Sequence, residues 1–211
     1  NSFSISYPDK KENYVYYSLD LCQIIFKMEI TILGIAWVFY FFVHSFLAST
    51  TAKALIQRKS PFLFTYYRLL YNLIALGGLI PLLIQSILTP DAYLFTGSLA
   101  LGSAITVIGL VFLFLAFQAF DGAEFLGIKA EGKPELVQTG MYGFVRHPLY
   151  FATIILILGL FLLIPTQKMG LVLLISYVYL MVGYRLEERK LVAVFGEEYT
   201  TYKKRVKALI P

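Results

Sequence analysis

The residues best suited to chemistry lie in one short run, Gly-Met-Tyr-Gly-Phe-Val-Arg-His-Pro-Leu-Tyr. Its proline, Pro148, suits the first turn of a helix, where a missing N–H costs nothing. Arg146 and His147 are therefore expected at a helix N-terminus, beside unsatisfied amides and the positive end of the dipole, where an anion binds favourably. Tyr142 and Tyr150 flank them and could stack on a base or face a cation. The alternative is that Arg146 and His147 only extend to the membrane surface.

A pair of carboxylates, Glu187 and Glu188, closes the last apolar run of the chain. The two apolar runs between this pair and Arg146 predict a helical hairpin, so both polar segments are expected at the same depth. Acidic groups just inside a membrane are costly unless paired, and by default they indicate a function. Together the two segments predict a site of both charge signs, suited to a zwitterionic ligand. A simple ion pair between Arg146 and Glu187 is the alternative.

Two further candidates, His44 and Arg68, are expected at the same membrane face. His44 falls in the last turn of the first apolar run, and Arg68 opens the second. The alternative for His44 is a structural role. The chain has two histidines and one cysteine, Cys22, without ligand spacing, so no metal site is predicted. Neither a Gly-rich nucleotide loop nor a hydrolase nucleophile elbow is present.

The elements that must position these side chains are membrane helices. Hydrophobic residues make up 58% of the 211 residues and charged residues 15%, far from the composition of a soluble domain. A spanning helix needs roughly 20 mostly apolar residues. The expected fold is all-α, a polytopic bundle of five transmembrane helices. Their predicted bounds are Ile30–Ala48, Tyr67–Leu88, Gly97–Phe117, Leu149–Ile164 and Met169–Tyr184.

The basic residues divide unequally between the two faces of this bundle. One face is expected to carry only Lys10, Lys11, Lys27 and Lys168. Fourteen lie on the other: Lys53, Arg58, Lys59, Arg68, Lys129, Lys133, Arg146, Arg185, Arg189, Lys190, Lys203, Lys204, Arg205 and Lys207. The positive-inside rule then predicts an external N-terminus and a cytosolic C-terminus. Because topology accounts for the net charge of +5, nucleic acid is not a predicted partner.

Two polar segments depart from this pattern. The first, Asp121–His147, is unusually long for a loop and keeps apolar residues, so a packed cytosolic cap is expected. The second is the tail from Leu186, where apolar residues recur at helical spacing and Gly196 interrupts them as a C-cap glycine would. It predicts two short amphipathic helices that either lie on the lipid surface or cover the site.

Residues 1–27 are polar, rich in tyrosine and serine, and lack the pattern of a cleaved signal. Met28, just before the first span, is a candidate native start. The preceding stretch is then either an addition to the natural chain or an unusual extension. We expect a single membrane domain over residues 28–211.

The motifs resemble those of a known superfamily. The run Leu136-Val-Gln-Thr-Gly-Met-Tyr142, followed by Val145-Arg-His-Pro-Leu-Tyr150, resembles a signature of the isoprenylcysteine carboxyl methyltransferases. The tail from Glu187 to Val206, with its Glu-Glu, Phe-Gly, two tyrosines and Arg-Val, is similar to the tail of the same superfamily. The resemblance covers about residues 134–211, and its two motifs flank the predicted hairpin.

Shorter matches favour one branch of that superfamily. His44-Ser45, Tyr67–Tyr71, Glu124–Ile128 and Leu209–Pro211 resemble segments of bacterial methanethiol S-methyltransferases and NnrU-like membrane proteins. The resemblance implies an integral membrane enzyme, in a bacterial inner membrane, that binds S-adenosylmethionine on the cytosolic side. The cofactor positions it implies are Leu136, Val137, Tyr142, His147, Pro148, Tyr150 and Glu187.

The methyl acceptor implied by this branch is a small hydrophobic thiol, with the lipid bilayer as the other partner. Arg146 is the candidate catalytic residue because a cation favours the thiolate. His44, Arg68 and Glu188 are the candidate acceptor-side residues. Gly183 occupies a position where eukaryotic members carry a carboxylate-binding arginine, which argues against a prenylcysteine. The alternatives are a carboxyl methyltransferase of an isoprenylcysteine-like or lipid substrate, an NADPH-dependent reductase of the same superfamily, and a non-catalytic scaffold.

Overall fold

The computed structural model describes residues 10–89, 91–119, 122, 126, 128 and 135–209, with side chains from residue 23 onward. Across these residues the chain is helical, with two isolated bridges and no strand, which confirms the all-α prediction. A short 3₁₀ helix, Gly140–Gly143, precedes α6. The α-helices are α1 (Lys10–Ala48), α2 (Thr50–Lys59), α3 (Pro61–Thr65), α4 (Tyr67–Leu88), α5 (Leu99–Phe117), α6 (Pro148–Leu163), α7 (Gln167–Phe195) and α8 (Glu197–Arg205).

Four helices are long and apolar enough to cross a membrane: α1 from Gln23, α4, α5 and α7. The fourth predicted span corresponds to α6, which is apolar but has only 16 residues. Most large apolar side chains on the four long helices are exposed in the isolated chain, as expected for groups in contact with lipid tails. The protein is therefore a polytopic helical membrane protein, and the fifth crossing stays a prediction.

Helices α5 and α6 pack with their backbones unusually close together. A Cβ placed on Gly109 would stand 2.6 Å from the amide nitrogen of Leu156, and one on Gly159 would stand 2.4 Å from that of Thr106. Small residues at such crossings permit the close approach by which membrane helices associate. This contact fixes the position of α6, whose first residues belong to the candidate site.

Helices α1, α4 and α7 meet around Trp37, which is 1% exposed. Its indole nitrogen donates a hydrogen bond to the hydroxyl of Ser86 at 3.2 Å, and its ring packs with Leu33 and Val172. Within a bilayer, such satisfied polar groups contribute to association because lipid offers them no partner.

The end of the bundle away from the site is closed by Lys168, which is 2% exposed. Its ammonium donates to the hydroxyl of Thr89 at 2.8 Å and lies 3.3 Å from a carboxylate oxygen of Glu29. Its amide donates to Asp91. The tight turn predicted between the fourth and fifth spans is thus held against the rest of the bundle.

Two predicted boundaries differ from the structure. Helix α1 begins at Lys10 and continues through the predicted boundary at residues 27 and 28, so the division into extension and domain stays a prediction. Helix α7 continues to Phe195, so the first of the two predicted tail helices is the C-terminal part of α7. The predicted break at Gly196 is confirmed, with φ at +54°. Eleven of the 27 residues of the predicted cap, including Lys129 and Lys133, lie outside the described residues.

Candidate active site

The start of α6 is held by the C-terminal segment of the chain. The backbone amides of Arg146 and His147 donate to the carbonyls of Lys207 and Ala208 at 2.9 and 3.1 Å. These two amides are therefore already bonded and are not among the unsatisfied amides expected beside Arg146 and His147. A helix leaves its first-turn amides without intrahelical partners, so Leu149 and Tyr150 are the amides at this end that a ligand can reach.

Arg146 and Glu188 form a buried ion pair. Nε of Arg146 donates to Oε1 of Glu188 at 3.0 Å, and Nη2 donates to the same oxygen. Nη1 donates to the carbonyls of Lys203 and Val206, while the Lys203 ammonium lies 2.6 Å from Oε2 of Glu188. All three guanidinium nitrogens are thus used to join α6, α7 and the tail. This arrangement favours a positioning role for Arg146 and Glu188 over the catalytic and acceptor-binding roles predicted for them.

His147 lies beside this pair and faces Glu187. Its Nδ1 is 3.6 Å from a carboxylate oxygen of Glu187, whose side chain is 42% exposed. Its Nε2 is fully buried, has no hydrogen-bond partner among the described residues, and lies 3.5 Å from Glu188. The ring of Tyr150 packs edge-on against the imidazole, with centroids 5.5 Å apart, and its hydroxyl lies near the Glu187 carboxylate. A buried polar atom without a partner is rare and calls for a ligand or water to satisfy it.

These groups border a cleft of about 150 Å³ at the mouth of the bundle. Six of the seven predicted cofactor residues line it: Leu136, Val137, Tyr142, His147, Tyr150 and Glu187. The seventh, Pro148, is buried at the first position of α6 and does not line the cleft. The remaining lining residues are Glu135, Arg146, Leu149, Leu191, Phe195, Tyr199 and Tyr202. The sequence motifs therefore place their residues around one cavity that is mostly apolar with a few convergent polar groups.

The tail tyrosines close one wall of this cleft. Burial raises the pKa of Tyr202 to about 12, so its hydroxyl stays protonated and donates to the Tyr142 carbonyl at 2.5 Å. Burial also raises the pKa of Tyr199 to about 12. For Tyr142, burial and the nearby Glu187 carboxylate raise the pKa well above its usual value. These tyrosines are neutral donors and aromatic surfaces near neutral pH.

Comparison with known proteins identifies the family of the chain. The model of the phospholipid methyltransferase family matches residues 93–198, half of the chain, including the Arg-His-Pro and Glu-Glu motifs. The chain belongs to this family. No solved structure matches it.

Curated relatives of this methyltransferase family member fall in the expected branches. Methanethiol S-methyltransferase 1 of Bradyrhizobium diazoefficiens is 31% identical over 63% of this chain and 47% of its own length. Methanethiol S-methyltransferase of Pseudomonas deceptionensis is 38% identical over 34% of this chain and 26% of its own. Protein-S-isoprenylcysteine O-methyltransferase of Saccharomyces cerevisiae is 31% identical over 61% and 58%. The superfamily and branch predicted from the motifs are confirmed, although the chain spans less than two thirds of each relative.

The predicted acceptor residues His44 and Arg68 do not line the cleft of this family member. His44 borders a separate small cavity with Tyr71. Arg68 lies near Lys53, whose pKa is lowered by burial and by the neighbouring charges of Arg68 and Lys190. The sequence reasoning did not select Tyr71, Tyr199 or Tyr202 as site residues. Their signal was a set of tyrosines at helical spacing in the tail and at the start of α4, which is also the pattern of ordinary packing.

Proposed function

We propose that this protein is an integral membrane methyltransferase that uses S-adenosylmethionine to methylate a small hydrophobic thiol. The observation that carries the proposal is the imidazole of His147 in an aromatic and apolar cleft: its Nδ1 lies beside Glu187, and its buried Nε2 has no hydrogen-bond partner among the described residues. The cofactor combines an ammonium, a carboxylate, a ribose and an adenine. The cleft offers donors, a carboxylate and aromatic surfaces for those four groups.

The residues present fit the cofactor by the chemistry of their side chains. His147 and the free first-turn amides of α6 would hold the carboxylate, since a helix N-terminus favours an anion. Glu187 would hold the amino group or a ribose hydroxyl. Tyr142 and Tyr150, with Leu136 and Val137, would hold the adenine. When bound, S-adenosylmethionine supplies a sulfonium methyl group for in-line displacement.

Catalysis by this chain is then largely positioning. Holding two reactants in line is worth about 7–11 kcal/mol of the barrier. The pair Arg146–Glu188 fixes the tail against α6, so that Tyr199 and Tyr202 wall the cleft. An apolar, walled cleft also excludes water, which would compete with a weak nucleophile.

The names of two relatives favour a thiol acceptor over a carboxylate, and the structure adds an argument. The ring of Tyr150 packs against Gly183 and fills the space where a longer side chain would stand. The name of the yeast relative, a protein-S-isoprenylcysteine O-methyltransferase, supports a carboxyl acceptor as the alternative. The proposed orientation, with the C-terminus cytosolic in a bacterial inner membrane, follows from the distribution of basic residues.

Ligand-dependent stabilisation tests the proposal. Purified protein in detergent should gain thermal stability with S-adenosylhomocysteine and none with NADPH. Radiolabelled methyl transfer should reach methanethiol but not a prenylcysteine analogue or phospholipid. Stabilisation by NADPH alone would support the reductase, and stabilisation by neither ligand would support a scaffold. Transfer only to the prenylcysteine or to phospholipid would contradict the proposed thiol acceptor and would still support a methyltransferase.

A further inference from the structure

A second polar cluster lies within the spanning part of the bundle. The hydroxyl of Tyr71 on α4 shares a hydrogen bond with Nε2 of His44 on α1 at 2.9 Å and lies 3.2 Å from Nδ1. Next to it, the hydroxyls of Ser45 and Tyr179 share a hydrogen bond at 3.0 Å. Polar and ionisable groups at membrane depth are expensive and mark functional positions by default.

The pair His44–Tyr71 borders a cavity of about 20 Å³. A cavity needs about 10–15 Å³ to hold one water molecule, so this one takes a molecule of very few heavy atoms. Apart from His44 and Tyr71, it is lined by Tyr40, Val43, Leu47, Ile74 and Ala75. An apolar wall with one imidazole suits a short-chain thiol, which has an apolar carbon and a weak S–H donor.

A row of polar groups joins this cavity to the cofactor cleft. Tyr150 borders the cleft, and its ring lies against Gly183 of α7. Tyr179 stands one turn earlier on α7 and faces His44, with ring centroids 6.4 Å apart. The row therefore crosses from α6 and α7 to α4 and α1, and His44 stands at its far end.

The geometry points to His44 as the group that accepts the proton of the acceptor thiol, with Tyr71 as its positioning residue. This inference rests on the proposed function. The thiolate is the nucleophilic form, and a thiol in apolar surroundings stays protonated unless a base is near. The S–H bond breaks, its electron pair stays on sulfur, and the proton binds the lone pair of the neutral imidazole. In the neutral tautomer whose Nε2 donates to the Tyr71 oxygen, the lone pair lies on Nδ1.

His44 is the strongest base among the side chains that surround this cavity. Tyr40 comes from the same helix, with ring centroids 6.0 Å apart, and its hydroxyl donates to the carbonyl of Ala75. Tyr71 comes from α4 and Tyr179 from α7, with centroids 5.2 and 6.4 Å from the imidazole. Phenols are far weaker bases than imidazole near neutral pH.

The first test uses protein without cofactor. Methanethiol is added to purified protein, and the ultraviolet difference absorbance of its thiolate is recorded at neutral pH. Wild type should give a thiolate signal, His44→Ala and His44→Gln should lose it, and Tyr71→Phe should weaken it. Tyr40→Phe, which removes a hydroxyl from the same cavity, is the matched control and should keep the signal. No signal from wild type, or a wild-type signal from His44→Gln, would overturn the inference.

The second test separates a base from a structural histidine. Methanethiol and methaneselenol have the same number of heavy atoms and a similar size, but the selenol is far more acidic. General base catalysis contributes about 10²–10⁴-fold, so His44→Gln should lower kcat for methanethiol about 100-fold with little change in KM. The loss of kcat with methaneselenol should be at least tenfold smaller, and added imidazole should partly restore the activity of His44→Ala. Equal losses of kcat with both acceptors would mean a structural role. If wild type fails to bind S-adenosylhomocysteine, the proposed function fails. The thiolate signal of the first test still shows whether His44 accepts the proton of the thiol.

Discussion

The ring of Tyr150 lies directly against the backbone of Gly183. A Cβ placed on Gly183 would stand 3.2 Å from Cε1 of Tyr150 and 3.5 Å from its hydroxyl oxygen. Glu187, whose carboxylate lies near that hydroxyl, follows one turn later on the same face of α7. Gly183 thus sets how closely α6 approaches α7, and through Tyr150 it shapes the candidate cofactor cleft.

Gly183→Leu should displace Tyr150 from Glu187 and weaken S-adenosylhomocysteine binding about tenfold, the equivalent of one hydrogen bond of about 1.4 kcal/mol. Gly183→Ala should have a small effect, because the ring needs to move by only a few tenths of an ångström. Isothermal titration in detergent measures both. Gly77→Leu is the control, since nothing lies within 4 Å of its Cβ position on the lipid-facing side of α4. Unchanged S-adenosylhomocysteine affinity in Gly183→Leu would mean that Tyr150 does not contact the cofactor.

His147→Ala and Glu187→Ala test the predicted cofactor contacts directly. Each removes a hydrogen bond that involves a charged group, worth about 1.5–3 kcal/mol, or roughly ten- to hundredfold in affinity. Binding of S-adenosylhomocysteine should fall by that factor while the helical circular dichroism is retained. Glu197→Ala removes an exposed carboxylate outside the cleft and should bind as wild type does. Wild-type affinity in both cleft variants would place the cofactor elsewhere.

Arg146 and Glu188 should behave as one structural unit. Removing one partner of a buried pair leaves the other charge uncompensated, at about 3–5 kcal/mol, whereas replacing both with apolar residues costs far less. Arg146→Met and Glu188→Met should therefore each lower the melting temperature strongly, and the double variant should recover most of the loss. Thermal unfolding in detergent measures this coupling. A stable Arg146→Met variant that binds S-adenosylhomocysteine but has no activity would instead restore the catalytic role predicted for Arg146.

The sequence predicts the start of α6 and the shared depth of its polar residues with Glu187 and Glu188, because Pro148 marks a helix start and a hairpin brings its two ends together. It does not predict which carboxylate meets Arg146. Adjacent helical residues point about 100° apart, so that choice depends on how α7 is rotated in the bundle. The structure pairs Arg146 with Glu188 and leaves Glu187 to His147.

The C-terminal segment shows the same limit. Gly196 is a local stop signal and was predicted, but the spacing of apolar residues after Leu186 cannot distinguish a new helix from the continuation of α7. The bonds from the amides of Arg146 and His147 to Lys207 and Ala208 join residues about 60 positions apart. No local pattern encodes such a contact, so the sequence does not predict that the tail binds the two amides that precede α6.

The last prediction concerns orientation, since the distribution of fourteen basic residues against four predicts a cytosolic C-terminus. In a chain with Cys22→Ser, single cysteines should report the two faces through a membrane-impermeant maleimide. Tyr93 is 66% exposed near the turn that Lys168 closes, and the side chain of Lys203 is 47% exposed on α8. Lys168 itself is too buried to serve as a label site. Tyr93→Cys should react in intact cells, and Lys203→Cys only after permeabilisation. The reverse pattern would invert the topology and place the candidate cleft outside the cell, away from cytosolic S-adenosylmethionine.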